Sequence, residues 1–219
     1  MNKVLNSQTL QYLESRLLSE LSKNKLFQQK EINNSPRAMG DTVQNAISEI
    51  LPSCFPDGLL TGYNSDFARK SMEDVSFSDM DGNYYAIDIK THNTATKFNM
   101  PNLVSVDRLA RFYRNDKKYF VILLVEYVVE QDKLTFTKVL FIPVEHLDWS
   151  CLRIGALGNG QLQLANSNRI IINRTQTRAD WMLSLCDALD VFYPKEIEKI
   201  KNKLLKNVKA MRDHWEGRQ

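Results

Sequence analysis

Between Lys118 and Val129 the chain reads KYFVILLVEYVV, an apolar run with almost no polar alternation. A strand with one face in water alternates apolar and polar side chains, so a run like this one belongs in a sheet covered on both faces. It is too short to cross a bilayer, and Glu126 interrupts it. The chain must therefore supply layers for both sides of a sheet. With 219 residues, 43% of them hydrophobic, it has enough material for one sizeable core.

The layers are legible on either side. Leu10, Leu13, Leu17, Leu18 and Leu21 recur at helical spacing and predict an amphipathic helix over Ser7 to Lys23. Gln28 to Asn34 is polar and reads as a loop, after which Ser35-Pro36 forms a helix start with serine as N-cap. Met39, Val43, Ala46, Ile47 and Ile50 line that second helix, which is expected to stop before Pro52; Pro56-Asp57-Gly58 is turn chemistry. Asp74 to Met80 and Tyr84 to Lys90 flank Asp81-Gly82-Asn83 and predict a hairpin. Leu103 to Tyr113 reads as helix, and Gln131-Asp132 turns the long strand into another over Leu134 to Ile142. Gly155 to Gly160 reads as a loop, with short strands around Gln161 to Ala165 and Arg169 to Asn173. Two final helices are expected over Arg178 to Phe192 and Pro194 to Trp215. The order helix, helix, mixed sheet, helices implies an α/β sandwich around a central mixed sheet.

Composition excludes several classes. A charged fraction of 25% with 10% aromatic residues is incompatible with a disordered or collagen-like chain. No apolar h-region follows Met1, and the three cysteines, Cys54, Cys151 and Cys186, form no CxxC and no zinc pattern with the histidines. The expectation is a soluble, cytoplasmic protein without a membrane partner. Net charge is only +3, but it is uneven: lysines gather in Lys195 to Arg212, whereas Glu73 to Asp88 is acidic. An acidic island in a basic chain suits a metal-dependent nuclease and is equally ordinary as surface scatter.

The island repays a closer reading. In Ala86-Ile87-Asp88-Ile89-Lys90, alternation puts Asp88 and Lys90 on one face and Ile87 and Ile89 in the core. With a three-residue loop, Asp81 to Asn83, Asp74 would face Lys90 and Ser76 would face Asp88, so that all the polar groups share that side; a two-residue turn would put Asp74 on the other. Two carboxylates beside an ammonium can hold a hard cation and leave positions for water and phosphate. Phosphodiester hydrolysis needs such a group to neutralise charge and make a nucleophile of water, and Lys90 would orient that water. The bland alternative is a solvated Asp88–Lys90 pair with Asp74 an unrelated turn acid.

The ordered set Asp74, Asp88-Ile89-Lys90-Thr91, Thr91-His92-Asn93, Met100-Pro101-Asn102-Leu103-Val104, Asn173-Arg174-Thr175 and Thr177-Arg178-Ala179-Asp180-Trp181 resembles the PD-(D/E)xK nuclease superfamily. Within it the likeness is to type II restriction endonucleases of the EcoRV and HincII group. The resemblance implies a restriction-endonuclease-like α/β core and magnesium, replaceable by manganese, held by Asp74, Asp88 and the Ile89 carbonyl. An acid from an early helix, Asp41 or Glu49, would join them; either is equally a solvated helix residue. The family's proline before the first aspartate is Glu73 here, which is itself a candidate ligand.

The same resemblance implies sequence-specific double-strand cleavage of palindromic DNA, 5′-phosphate products with a lean towards blunt ends, a homodimer, and a companion methyltransferase in a prokaryotic cytoplasm. Residues 1–219 would form one endonuclease domain: 1–30 helical with a possible dimer role, 41–181 the catalytic and DNA-reading core, 182–219 the closing helices. Thr91, Asn93, Lys97, Asn99, Met100 and Asn102 would meet DNA after the catalytic lysine, with Met100 either a wedge between bases or packed at Leu103. Asn159, Gln161, Gln163, Asn166, Asn168 and Arg169 would read base edges, and Asn173, Arg174 and Arg178 would reach the backbone. Thr177 to Asp180 is also a capping box in its own right. The rival readings are a repair or junction nuclease of the same fold and a catalytically silent nucleic-acid-binding protein.

Overall fold

The computed structural model describes residues 2–27, 36–68, 71–131 and 133–218. It is an α/β protein whose central five-stranded mixed sheet is flanked by helices. The expected loop over Gln28 to Asn34, the Ser35 cap and Asp132 of the turn lie outside the described residues.

Helix α1 spans Ser7–Lys23, the predicted bounds, with Asn6 as N-cap accepting from the Thr9 N–H at 3.0 Å. Its Leu10, Leu13, Leu17 and Leu21 are wholly buried. Helix α2, Pro36–Cys54, runs through Pro52 instead of stopping before it. The proline has no N–H for the Ser48 carbonyl one turn back, and the Tyr63 hydroxyl donates to that carbonyl instead, at 2.8 Å. A tertiary bond thus replaces the one the sequence removes.

The main sheet contains β1 (Leu60–Asn64), β2 (Val75–Asp79), β3 (Tyr84–Asn93), β5 (Lys118–Glu130) and β6 (Lys133–Pro143), in the order β1-β2-β3-β5-β6. Only β3 and β5 are parallel; the other pairs are antiparallel. The crossover between β3 and β5 carries β4 (Asn102–Ser105) and α3 (Val106–Phe112). Leu103 to Tyr113 was expected to be helical throughout, but Leu103 and Val104 belong to β4, and the helix starts only where Ser105 accepts from the Arg108 N–H. Strand β4 joins β7 (Leu152–Gly155) and β8 (Gln161–Leu164) in a second sheet, ordered β4-β8-β7. The expected strand at Arg169 to Asn173 reduces to one antiparallel bridge, Leu147 to Ile172, with Ile171 exposed beside it.

Burial on both faces of the sheet follows from this order. One face packs α1 and α2 against Ile87 and Ile89 of β3 and Val121, Leu123 and Val125 of β5. The other packs α3, the small sheet and the start of α4 (Arg178–Lys199) against Ala86, Phe120 and Ile122. Trp181, fully buried there, donates its indole N–H to the Leu147 carbonyl at 2.9 Å. The predicted break at Pro194 is absent. That proline lies inside α4, and the carbonyl deprived of a donor belongs to solvent-exposed Asp190. The helical path continues through a π turn, Ile200–Leu204, into α5 (Leu205–Glu216). No helix of the described residues is long and apolar enough to cross a membrane.

The hairpin between β2 and β3 sets the site. Strands pair Val75 with Ile87, Ser76 with Ala86 and Ser78 with Tyr84. Relative to the predicted register this is a slip of two residues, so Ser76 faces Ala86 rather than Asp88. Asp74 precedes β2, and its position is set by hydrogen bonds rather than by strand alternation. The slip has a local cause in Asp79. Its carboxylate accepts the Asp81 and Asn83 N–H groups at 2.9 Å, the Asn83 side chain at 2.8 Å and the Tyr85 hydroxyl at 2.7 Å, around Gly82 at φ +74°.

Burial works to raise the Asp79 pKa, but the bonds from Asn83, Tyr85 and Asp81 outweigh it and hold the carboxyl below its ordinary value. Asp79→Ala should cost about 2–4 kcal/mol at neutral pH in urea unfolding. Because the folded pKa is depressed, that stability is present above the ordinary carboxylate range and is lost as pH falls through the folded value. The acid limb of the variant's stability curve should accordingly be flatter.

Candidate active site

At its carboxyl-terminal half β3 outlasts β2. Asp74, just before β2, lies at that margin: its N–H donates to the Ile87 carbonyl at 2.8 Å. One carboxylate oxygen, Oδ2, accepts the Ile89 N–H at 2.7 Å, and Oδ1 accepts Nε2 of Gln44 from α2 at 3.0 Å. Asp74 therefore stands in for the missing stretch of neighbouring strand and is fixed from two elements. Burial raises its pKa, against the Ile89 N–H, Lys90 and Gln44, which lower it.

Asp88 and Lys90 project together from β3, as alternation requires, and the Lys90 ammonium donates to Asp88 Oδ1. Asp88 is buried, with 6% of its surface exposed, and its Oδ2 has no hydrogen-bond partner. Burial first, then the Asp74 charge, push its carboxyl up to about 7, against the pull of Lys90. A buried carboxylate oxygen left without a donor is costly unless something cationic meets it.

Two carboxylates, one orphaned oxygen and an adjacent ammonium fit a hard divalent cation that retains several waters. The Ile89 carbonyl belongs to the same strand segment and can add an oxygen. Among the described residues no group of three or more His, Cys, Asp or Glu side chains gathers to hold a metal. Of the early-helix acids, Asp41 lines a cleft of about 520 Å³ together with Gly40, Gln44, Lys90, Thr91 and Asn93. Glu49 is exposed two turns further along α2 and does not line it. Helix α2 approaches β3 at Gly40, where a Cβ would stand 3.4 Å from the Thr91 hydroxyl. Glu73 accepts from the Tyr84 hydroxyl at 3.1 Å, which engages it away from the pair.

The predicted DNA-contacting residues divide into two groups. Thr91, Asn93 and Asn99 line the cleft, and Lys97 is exposed beside it. Met100 is half-buried and receives the Arg153 guanidinium at 3.4 Å, so it touches the small sheet. Asn159, Arg169 and Arg174 are exposed, Asn159 in a left-handed conformation at φ 65°. Gln161 and Asn166 are half-buried, and Asn166 accepts from the Asn168 N–H at 3.0 Å.

The second group makes contacts within the scaffold. Gln163 is buried against Gly155 and donates to Asn102 across the β4–β8 pair at 2.5 Å; a Cβ on Gly155 would approach it to 2.6 Å. Asn168 meets buried His92 at 2.8 Å and donates to the Thr96 and Lys97 carbonyls, so it holds the 94–97 loop against β3. Asn173 closes its own turn onto Thr175. Arg178 is bound to Glu145 by two donors, at 3.1 and 2.9 Å, and lies between the Tyr113 and Tyr119 rings, each 4.4 Å away.

Gln44 escaped the sequence reading, and so did the contact of Asn168 with His92. Gln44 is 30 residues from Asp74, and Asn168 is 76 from His92. Neither separation leaves a local pattern, although Gln44 lies one turn beyond Gly40-Asp41 on the same helix. The chain matches no known protein-family profile and no curated protein.

Proposed function

We propose that the chain is a magnesium-dependent type II restriction endonuclease with a restriction-endonuclease-like core, cutting both strands of a palindromic DNA site as a homodimer. The observation that carries this reading is the buried, unpartnered Asp88 Oδ2 beside Asp74 and Lys90, of which Lys90 lines the cleft. Asp74, Asp88 and the Ile89 carbonyl would hold the cation, with manganese an acceptable substitute and Asp41 able to contribute through water. A bound divalent ion supplies charge neutralisation at the phosphate and lowers the pKa of a coordinated water.

The chain's own groups do the rest. Gln44 and the Ile89 N–H fix the Asp74 carboxylate, so it does not reorganise during reaction. Lys90 is 22% exposed at its side chain and can turn from Asp88 towards the cleft, to orient the attacking water and meet charge developing on the phosphate. Thr91, Asn93, Lys97 and Asn99 offer donors to sugar and phosphate along the same wall. Such an enzyme works in a prokaryotic cytoplasm beside a methyltransferase that protects the same site.

Digestion of phage DNA in magnesium tests this reading. Discrete fragments with 5′-phosphate ends, abolished by chelation, are the outcome it requires. A smear, or nicking confined to mismatched or branched DNA, would move the function to a repair or junction nuclease on the same residues.

A further inference from the structure

Every residue from Lys201 to Arg218 is exposed, and α5 has no substantial packing against any other element of the described residues. An isolated helix of this length is marginal in water, and helical stability in proteins comes mostly from packing an apolar face. Such a face is present and uncovered. Ile197, Ile200, Leu204, Val208, Met211 and Trp215 are 50, 45, 46, 48, 57 and 61% exposed, and Tyr193, before them, is 38% exposed. Helix α1, whose leucines were a candidate dimer element, is spent in the core.

The stripe has an internal symmetry. From Tyr193 to Trp215 its spacings run four, three, four, four, three, four, identical in both directions about Leu204. We infer that this face is a two-fold interface in which the closing helix pairs antiparallel with the same helix of a second copy, centred on Leu204. Ile197 then meets the partner's Met211 and Ile200 the partner's Val208, while Tyr193, whose hydroxyl lies 3.4 Å from where a Cβ on Gly160 would stand, is held against its own chain at the end of the stripe. At the ends Asp190 is level with the partner's Arg218. A self-complementary patch of this kind is what an isologous dimer requires.

The magnitudes agree with a second copy as occupant. These seven residues expose on the order of 700 Å² per chain, and pairing would remove on the order of 1,400 Å², inside the range of specific interfaces. Over residues 195–212 the outer face is net basic, seven Lys or Arg against two Glu, with Lys199, Lys209 and Arg212 tied to Glu196, Asp213 and Glu216. The two-fold spacing and the area, not the charge, argue for a second copy, and anionic lipid is the competing occupant that the experiment below separates. The inference stands apart from the nuclease reading, although it would provide the two-fold axis that a palindromic site needs.

Sedimentation equilibrium of the full chain, without DNA or metal, tests it. The wild type should be dimeric at tens of micromolar. Leu204→Glu, which puts two charges together at the axis, should weaken the dimer by about a hundredfold or more, while Lys206→Glu, off the stripe, should not. Retained near-ultraviolet circular dichroism from the buried aromatic core, Trp181, Tyr85 and Phe120, would show that Leu204→Glu still folds. In a Cys186→Ser background, Ile197→Cys chains mixed with Met211→Cys chains should crosslink through a short bismaleimide, and Ile197→Cys chains alone should not. A monomeric wild type, a dimer indifferent to Leu204→Glu, preferential 197-to-197 crosslinking, or a monomer that binds anionic vesicles through this face would each overturn the proposal. A dimer that cleaves no DNA would sink the nuclease reading and leave this one standing.

Discussion

Asp88→Asn should lower magnesium-dependent DNA cleavage by about a thousandfold or more while making the metal-free protein more stable. Both effects come from one atom. Asp88 Oδ2 is buried without a hydrogen-bond partner, and burial beside Asp74 pushes the carboxyl up to about 7. The folded state therefore holds this proton more tightly than the unfolded chain, so the metal-free protein loses stability as pH rises from the ordinary carboxylate range to about 7. Asparagine removes the charge at constant shape, and Lys90 can turn to the water of the cleft. Urea titrations across that pH window should show a steep slope for the wild type and a shallow one for the variant. At neutral pH the difference should be on the order of a few kcal/mol. A parallel fall in stability and cleavage would point instead to a structural Asp88–Lys90 pair.

Glu145→Ala should destabilise the protein by about 3–5 kcal/mol, the largest stability effect expected of any single polar residue here. Glu145 is 5% exposed and binds the Arg178 guanidinium and the Tyr113 hydroxyl, at 2.7 Å for the latter. Tyr113 in turn accepts the Phe120 N–H at 3.2 Å, and Arg178 also donates to the Asp116 carbonyl at 3.1 Å. One carboxylate thus ties the end of α3, the start of β5 and the start of α4. Removing it leaves a half-buried guanidinium without its counter-ion and the buried Tyr113 hydroxyl without an acceptor for its proton. Guanidinium unfolding measures the loss. Replacing Glu145 and Arg178 together by Leu and Met should recover much of it, since the penalty lies in the orphaned charge.

These two residues mark the boundary between what local pattern reveals and what it hides. Strand β5 was legible because burial on both faces leaves an unbroken apolar run, and Asp88 and Lys90 because alternation between core isoleucines admits one geometry. The hairpin register was missed by two residues because the Asp79 side chain shapes the loop, and no hydrophobic period records a side chain bonding to backbone. Asp74 is held near Asp88 by the Ile89 N–H and Gln44, bonds that no strand period records. Helix boundaries at Pro52 and Pro194 followed the general cost of proline, which a tyrosine hydroxyl offsets in one case and exposure to water in the other. The bond of Arg178 to Glu145, 33 residues away, leaves no local pattern. Amides such as Gln163 and Asn168 look alike in sequence whether they read bases or brace a loop. The stripe from Ile197 to Trp215 has helical spacing in the sequence, but only the fold shows that it is uncovered among the described residues.

The rate at which supercoiled plasmid is linearised in magnesium, for the wild type beside Lys90→Met, bears most closely on the Asp74–Asp88–Lys90 centre. The wild type should linearise plasmid in magnesium, stop on chelation and resume with manganese, and the Lys90→Met chain should be inactive though folded. Absence of cleavage in either metal at every ionic strength, or cleavage that survives Lys90→Met, would contradict the assignment of this cluster as a DNA-cutting centre.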